Sequence, residues 1–313
     1  MDMDTIMEIL NIRYARLRFT VQFLEDSVLP VYKASALRGG MGQMLLSQNC
    51  IGGSACEECG FVSECTVQKI MYARYEIQPW FGGEGESLGY IVSCDDSREQ
   101  VSAGDGMDFY LYLFGKTIVQ FGQCLQAFHM LGQAGIGKAH ARYQIYRVED
   151  QRGNCIVDRG QVILWNFEVS NVSSYALNRL QTMYQRAVPM KNELVFHTPA
   201  TLKYHGSLLT RFDSDALVRA ILRRIYCFDC FEGIETKPPK WEDRLPEILS
   251  QKPRQMEIRR YSTRKDERVP LRGITGTVVF DELPDELLLL FAAGEILHIG
   301  KNTSFGFGRY RIR

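Results

Sequence analysis

A glycine-rich segment near the end of the chain combines residue types that can bind phosphate groups. Its members with this potential are Gly300, Lys301, Gly306, Gly308 and Arg309. Glycine lets the backbone approach a ligand closely, and successive free N–H groups in such a turn attract anions. The lysine and the arginine add positive charge at the same place. The segment therefore predicts a cradle for phosphate groups.

His298 lies two residues before Gly300, the first residue of this segment. An imidazole exchanges protons near neutral pH, so His298 is a candidate general acid or base beside a bound phosphate. The alternative is a strand residue that orients the loop, and the sequence favours neither. The other histidines are interpreted as packed, surface or strand residues: His129, His140, His197 and His205. No cluster of carboxylates suggests a two-metal nuclease.

Four cysteines have the spacing C-x5-C-x2-C-x5-C, namely Cys50, Cys56, Cys59 and Cys65. Four thiolates bind zinc tetrahedrally and leave no open coordination position, so such a metal would be structural. Free thiols are the main alternative, and a disulfide is a weaker one because the chain reads as intracellular. A second pair, Cys227-x2-Cys230, lacks partner cysteines and predicts packing instead.

The segment Gly132–Lys138 matches the spacing of a phosphate-binding P-loop, but Ala139 follows where that motif requires Ser or Thr. A P-loop also runs from a strand into a helix, whereas the pattern here predicts a helix followed by a strand. We interpret the segment as a structural turn in which Lys138 contacts a nucleic acid.

Composition argues against indiscriminate nucleic-acid binding. The 313 residues include 37 Lys and Arg and 37 Asp and Glu, so the formal net charge is zero. The charge is uneven, because Glu76–Asp108 is acidic and Lys252–Arg272 is basic. A local basic patch is therefore compatible with the balance. The acidic start and the short apolar run Leu287–Ala293 predict a cytoplasmic protein with no membrane segment.

A succession of helix, glycine-rich loop with Gly-Lys, and strand occurs twice, ending near residues 150 and 313. Helices are expected over Ala34–Leu46 and around Ile118–Leu131, and a third, capped by Asp213 or Ser214, is expected to run to about Tyr226. The pattern predicts an α+β fold with two ferredoxin-like domains of βαββαβ type. Domain one is residues 1–150 with a four-cysteine insertion at 50–65; domain two is residues 151–313 with the glycine-rich loop at 300–308. Residues 150–190 are expected to be a linker.

Several segments, in this order along the chain, resemble the CRISPR precursor-RNA-processing endoribonucleases of the RAMP superfamily. The C-terminal run Gly294–Tyr310 is the most specific of them. The others are Leu37–Gly42, the four-cysteine segment, Gly135–Lys138 and Thr198–Lys203. Together they span most of the chain.

The resemblance implies tandem ferredoxin-like (RRM-like) domains that bind CRISPR repeat RNA and cleave it without a catalytic metal. The RNA's own 2′-hydroxyl attacks the adjacent phosphate, which leaves a 2′,3′-cyclic phosphate and a 5′-hydroxyl. On this basis His298 and Lys301 are the predicted catalytic residues. The predicted RNA contacts outside the glycine-rich loop are Arg38, Lys138, Arg219, Arg223, Arg259, Arg260 and Arg264. Other CRISPR effector subunits are potential partners.

One departure from the family leaves alternatives open. Many members carry a general-base histidine on or near the first domain's first helix, but Ala34–Asn49 contains none. One alternative is therefore a catalytically inactive RAMP subunit that holds the repeat end of the RNA in an interference complex. Another is a zinc-stabilised scaffold for protein partners.

Overall fold

The computed structural model describes residues 1–51, 53, 56, 58–72, 75–82, 88–185, 192–262 and 267–313. Its α-helices are α1 (Met3–Ile9), α2 (Lys33–Asn49), α3 (Thr66–Met71), α4 (Phe121–Ala134), α5 (Val172–Tyr184), α6 (Ser214–Glu232) and α7 (Asp285–Leu297). Short 3₁₀ helices occupy Gly115–Gln120 and Thr303–Phe305. No helix in these ranges has the length and apolar character needed to cross a bilayer.

The strands of the first half are β1 (Arg13–Phe23), β2 (Ser27–Val28), β3 (Tyr90–Ser93), β4 (Gln100–Val101), β5 (Gly106–Phe114), β6 (Tyr143–Glu149), β7 (Cys155–Asp158) and β8 (Gln161–Val162). Those of the second half are β9 (Ser170–Asn171), β10 (Glu193–Ala200), β11 (Lys203–Tyr204), β12 (Ser207–Leu208), β13 (Ile248–Ser262), β14 (Glu267–Phe280) and β15 (Tyr310–Ile312).

The chain divides into two compact units. We call Tyr14–Arg74 with Gly83–Val169 the N-terminal unit. The C-terminal unit consists of Met1–Arg13, Tyr75–Gly82 and Ser170–Arg313. Each unit is built on its own antiparallel sheet.

The N-terminal unit has the ferredoxin-like order β3-β5-β1-β6, with α2 and α4 as its two crossover helices, and β7 and β8 extend the sheet. Alternate side chains of β1 are buried, as expected for a strand with one face on a core. Phe19, Phe109 and Phe128 form the centre of that core, with ring centroids 4.8 to 5.2 Å apart.

Helix α2 is slightly longer than the predicted Ala34–Leu46, and it runs through two glycines that pack closely against neighbouring helices. A Cβ at Gly40 would lie 2.4 Å from Leu131 Cδ1 in α4, and one at Gly42 would lie 2.6 Å from Met71 Cε. Glycine weakens an isolated helix. Here its missing side chain lets α2 approach its neighbours closely, and packing outweighs the propensity.

The C-terminal unit repeats the same topology with the order β13-β14-β10-β15 and the crossover helices α6 and α7. The predicted cap of α6 is confirmed, because an Asp213 carboxylate oxygen accepts from Ala216 N at 2.9 Å. The Tyr310 hydroxyl donates to Phe291 O at 2.7 Å and so joins β15 to α7. The predicted α+β fold with tandem ferredoxin-like domains is therefore confirmed.

One regional prediction was wrong. Residues 150–190 are not a simple linker, because β7, β8 and the 13-residue helix α5 lie there, and α5 packs on α7. The acidic stretch Glu76–Asp108 contains a strand that was not predicted, β3, whose four residues are all buried. A short buried strand has too few residues to register in a charge count.

Candidate functional site

The glycine-rich loop connects α7 to β15 within the C-terminal unit. Gly300, Gly306 and Gly308 have φ angles of +82°, +79° and +73°, which L side chains rarely adopt. A Cβ at Gly308 would lie 1.9 Å from Ile299 O, and one at Gly300 would lie 2.6 Å from Thr201 O. The glycines therefore allow the loop to fold tightly against itself and against the chain that follows β10.

Several backbone N–H groups of this loop already donate hydrogen bonds within the protein. Ile299 N donates to Gly308 O at 3.1 Å, and Lys301 N donates to Thr201 O at 2.9 Å. Further internal donors are Phe305 N, Gly306 N, Gly308 N and Arg309 N. Gly306 and Gly308 are themselves buried. The prediction of a phosphate cradle made of free N–H groups is thus corrected: in this conformation a phosphate can reach the loop's cations, not these N–H groups.

His298 is fully buried at the base of the loop. Its Nδ1 lies 3.1 Å from the Phe307 carbonyl oxygen. Burial, together with the nearby Arg309 charge, lowers its pKa to about 3. A neutral, enclosed imidazole has no access to RNA while the loop is closed. The geometry therefore supports the alternative that His298 orients the loop, and it gives no support to proton exchange with RNA.

The cations of the loop remain accessible to different extents. Lys301 is exposed and Arg309 is half-buried. The two phenylalanines of the loop, Phe305 and Phe307, are buried. Arg260 approaches from β13, with its guanidinium carbon 4.8 Å from the centroid of the Phe305 ring. Arg260 of β13 therefore lies beside the loop that carries Lys301 and Arg309.

A long hairpin of β13 and β14 carries two of the predicted RNA contacts, Arg259 and Arg260. Pairing of β10 with β14 ends at Ala200–Ile274, whereas β13 and β14 stay paired as far as Ser262–Glu267. The hairpin thus extends beyond the strand beside it. Arg259 is exposed on it and forms an ion pair with Glu257 at 3.0 Å. Arg264 lies outside the described residues.

The two predicted arginines of α6 differ in their partners. Arg219 Nε forms an ion pair with Asp215 Oδ2 at 2.6 Å, four residues earlier on the helix. The Arg223 guanidinium carbon lies 3.9 Å from the centroid of the Phe81 ring. Both side chains are exposed.

Two further predicted contacts lie in the N-terminal unit. Arg38 is half-buried in α2, and Lys138 is exposed in the turn between α4 and β6. An antiparallel bridge between Ile136 and Ala141 closes that turn. The order of helix followed by strand confirms that this turn lacks the arrangement of a P-loop.

The four predicted metal ligands border one cavity. Cys50, Cys56, Cys59 and Cys65 line a space of about 200 Å³ beside the end of α2 and the start of α3. In the part of the chain that the structure describes, no three His, Cys, Asp or Glu side chains are grouped closely enough to hold a metal ion. The second pair, Cys227 and Cys230, is buried in α6, which agrees with a packing role.

Trp80 and Phe81 were not singled out from the sequence. They belong to the C-terminal unit, where Trp80 is 75% exposed and Phe81 lies against Arg223 and Tyr226. The available signal was an aromatic pair after Pro79 in a stretch dominated by acidic residues.

Comparison with known proteins finds a matching family model for each half of the chain. Residues 10–172 match the family model AF_1859_N, an N-terminal domain, and residues 194–310 match the model of the CRISPR-associated endoribonuclease Cas6. An uncharacterized protein of Archaeoglobus fulgidus is 25% identical over 289 residues, covering 91% of this chain and 93% of the relative.

Solved structures show the same fold. A chain of a partial Cas6-RT-Cas1–Cas2 complex is similar with a TM-score of 0.59 and 11% identity, covering 97% of this chain and 47% of that one. The present chain thus spans about half the length of that protein. A Cas6 product complex is similar with a TM-score of 0.50 and 14% identity, covering 95% and 98%. The chain belongs to the family of the AF_1859_N domain, whose model covers residues 10–172, and its C-terminal part, residues 194–310, matches the model of the CRISPR-associated endoribonuclease Cas6.

Proposed function

We propose that this protein is an endoribonuclease that binds CRISPR repeat RNA and cleaves precursor CRISPR RNA within the repeat, without a catalytic metal. The observation that carries the proposal is the set of cations beside the glycine-rich loop, inside the domain that matches the Cas6 endoribonuclease. Lys301 and Arg260 lie on different elements that meet at Phe305. Cations on converging elements suit a folded phosphate backbone.

The RNA supplies the nucleophile in this reaction. The 2′-hydroxyl oxygen bonds to the adjacent phosphorus as its proton passes to a base, and the bond to the 5′-oxygen breaks as that oxygen gains a proton. The products are a 2′,3′-cyclic phosphate and a 5′-hydroxyl. Extra negative charge develops on the phosphorane oxygens, and Lys301 with Arg309 would stabilise it.

The proton-accepting group is a separate question, because His298 is enclosed. An exposed histidine of the same unit, His197, lies on β10, and its backbone N–H donates to Arg309 O at 2.9 Å. That hydrogen bond brings the His197 backbone next to a predicted phosphate contact. We therefore assign the base role to His197 for testing, and the loop-orienting role to His298.

The test is incubation of the purified protein with labelled repeat RNA in excess EDTA, followed by analysis of the product ends. One cut that leaves a 2′,3′-cyclic phosphate supports the proposal, and cleavage that stops in EDTA contradicts its metal independence. Single-turnover rates then compare His197→Ala with His205→Ala, a control at another exposed histidine. Equal rates for His197→Ala and the parent would remove His197 from the mechanism.

A second candidate function is RNA binding without cleavage, as a subunit that retains the repeat end of the processed RNA in an effector complex. The burial of His298 and the absence of histidine from α2 favour it. The same assay separates the two functions, because tight binding of RNA that stays intact is the result expected of a binding subunit.

We also propose that the four-cysteine cavity holds a structural zinc ion. The support is that all four cysteines border one space, and that a set of four thiolates suits zinc. Since the side chains are not yet gathered, the segment between α2 and α3 must tighten on the ion. The metal would stabilise the N-terminal unit and take no part in RNA cleavage.

Metal analysis after purification without added metal tests this idea. We expect about one zinc per chain in the parent and in Cys155→Ser, whose cysteine lies outside the cavity, and a loss of zinc and of thermal stability in Cys59→Ser. A metal-free parent with the same melting temperature as Cys59→Ser would overturn the zinc proposal. It would leave the RNA-cleavage proposal untouched.

A further inference from the structure

A short segment of the C-terminal unit, Tyr75–Gly82, is fixed against the C-terminal half of α6. Glu76 N and Ile77 N both donate to the Cys230 carbonyl oxygen at 3.1 Å. The Trp80 backbone and the Cys230 side chain both hydrogen-bond to the hydroxyl of Tyr226, a residue only 7% exposed. These contacts give the segment a defined position on the helix.

The segment ends in a tight turn that presents two aromatic rings. Gly82 N donates to Pro79 O at 3.0 Å, so Trp80 and Phe81 occupy the two central positions, and Gly82 has a φ of +63°. The ring centroids of Trp80 and Phe81 are 5.6 Å apart at an interplanar angle of 79°. The indole is thus held edge-on to a fixed neighbour while 75% of the residue stays exposed.

Arg223 completes the cluster from α6. Its guanidinium carbon lies 3.9 Å from the Phe81 ring centroid, which is close for a cation over an aromatic ring. The Phe81 ring in turn lies 6.2 Å from that of Tyr226. No carboxylate in the described ranges forms an ion pair with Arg223. Its charge and its planar face therefore remain available beside the exposed indole.

Packing alone does not account for this arrangement. A turn that served only to cover α6 would direct its largest apolar side chain inwards, but Trp80 is directed outwards and Phe81 is the half-buried member. An exposed aromatic ring beside a guanidinium is the arrangement by which proteins bind unpaired bases: the rings stack, and the cation attracts the backbone. A purely apolar surface of a protein partner would offer the guanidinium of Arg223 no complementary charge.

We propose that Trp80, Phe81 and Arg223 form a stacking platform for an unpaired base of the RNA substrate. This inference rests on the proposed function, because it assumes that the chain binds CRISPR repeat RNA. It adds a site on α6 outside the glycine-rich loop. It also makes RNA with an unpaired segment, rather than a bare duplex, the preferred ligand.

A mutant cycle between protein and RNA tests the platform. Affinities of the parent, Trp80→Ala and Trp80→Phe are measured for repeat RNA and for versions with one abasic nucleotide at successive unpaired positions. Loss of one stacked base weakens binding by about 5- to 150-fold. We expect Trp80→Ala alone, and one abasic position alone, each to cause such a loss of affinity. Trp80→Ala with the RNA that is abasic at that position should lose little more than either change alone. Trp80→Phe should retain most of the affinity.

The control is Trp165→Ala, which removes another exposed tryptophan, in the N-terminal unit. If Trp80→Ala binds the repeat RNA and every abasic version of it within twofold of the affinity of the parent, the platform proposal is overturned. The proposed function would remain. If the parent binds no repeat RNA, the proposed function fails. In that case the platform is tested with a Trp165→Phe/Trp241→Phe variant, in which Trp80 is the remaining tryptophan. Stacking of a base on Trp80 should quench its fluorescence when an unstructured RNA is added at low salt. If the fluorescence of Trp80 is not quenched, the platform proposal is overturned.

Discussion

The imidazole Nδ1 of His298 lies 3.1 Å from the carbonyl oxygen of Phe307, so a single side chain joins the two ends of the glycine-rich loop. Nδ1 must carry the proton for this contact to be a hydrogen bond. Because the imidazole is fully buried, charging it would place an ion in the core next to Arg309. The neutral form of His298 is therefore part of the folded structure.

This gives a prediction for the pH dependence of stability. The pKa of His298 is lowered to about 3 in the folded protein, against 6.5 as the ordinary value. Below pH 6.5 the imidazole of His298 binds a proton in the unfolded chain but stays neutral in the folded chain. Its contribution to the free energy of unfolding is therefore fully present above pH 6.5 and is lost as the pH falls towards 3. Between pH 6.5 and 4.5 the loss from this residue is about 2 kcal/mol.

Urea denaturation of the parent and of His298→Asn at both pH values measures this contribution. Asparagine has a side-chain amide that can still donate to Phe307 O but does not titrate, and both residues bear the same strained backbone, with φ +55° and ψ 162°. We expect the variant to show a smaller loss of stability at low pH than the parent. Identical pH dependence in the two proteins would contradict the buried, neutral state of His298.

A second prediction concerns Glu295, a buried carboxylate of α7. It accepts from Tyr175 at 2.6 Å, pairs with Arg179 at 3.1 Å and Arg311 at 2.8 Å, and accepts from Ile312 N at 2.8 Å. It therefore connects α5, α7 and β15. Glu295→Gln leaves the arginines without their counter-charge, and breaking such a buried pair costs about 3–5 kcal/mol of unfolding free energy.

The matched control for Glu295 is Glu257→Gln, since Glu257 also pairs with two arginines but does so at the surface. Chemical denaturation should show no measurable change for it. Equal free energies of unfolding for the two variants would show that the buried ion pairs of Glu295 contribute no more to stability than the surface ion pairs of Glu257.

The repeated topology could be predicted from the sequence because each domain has amphipathic helices and alternating strands of ordinary length. The periodicity near Ile118–Leu131 gave α4, and Asp213 gave the start of α6. Strand β3 was missed because four consecutive buried residues have no alternation to detect. Helix α5 was missed because its buried face has only four residues.

The candidate site was harder to predict, because residue type does not reveal the direction in which a group points. Glycines and a histidine beside a lysine suggested open N–H groups and an accessible imidazole. The structure directs both inwards, since Pro199 and Thr201 at and after the end of β10 accept from the loop. Those acceptors lie about a hundred residues earlier in the chain, and no local pattern predicts them. The platform at Trp80 likewise depends on a distant helix.

The third prediction separates conformational strain from close packing in the loop. Gly308 has a φ of +73°, and a Cβ there would lie 1.9 Å from Ile299 O. Gly153 has a φ of +86° but no atom within 4 Å of such a Cβ. Both alanine variants bear the strain of a left-handed backbone, which costs about 1 kcal/mol or more, but only Gly308→Ala also clashes with backbone.

We therefore expect Gly308→Ala to lose clearly more unfolding free energy than Gly153→Ala, and to lose RNA cleavage as the loop is displaced. Thermal denaturation and the single-turnover assay provide the two readouts. Comparable melting temperatures for both variants would contradict the tight closure of the loop.

The last prediction concerns Lys301, the exposed cation of the loop. If its ammonium contacts one phosphate of the RNA, Lys301→Gln removes one counterion-releasing contact. The slope of log affinity against log salt should then become shallower by about 0.7–0.9, with a severalfold loss of affinity at low salt. Filter binding at several salt concentrations measures both quantities. Lys240→Gln makes the same charge change at an exposed position before β13, outside the loop, and should leave the slope unaltered. If both variants shift the slope equally, the effect is one of net charge, and Lys301 has no specific contact with RNA.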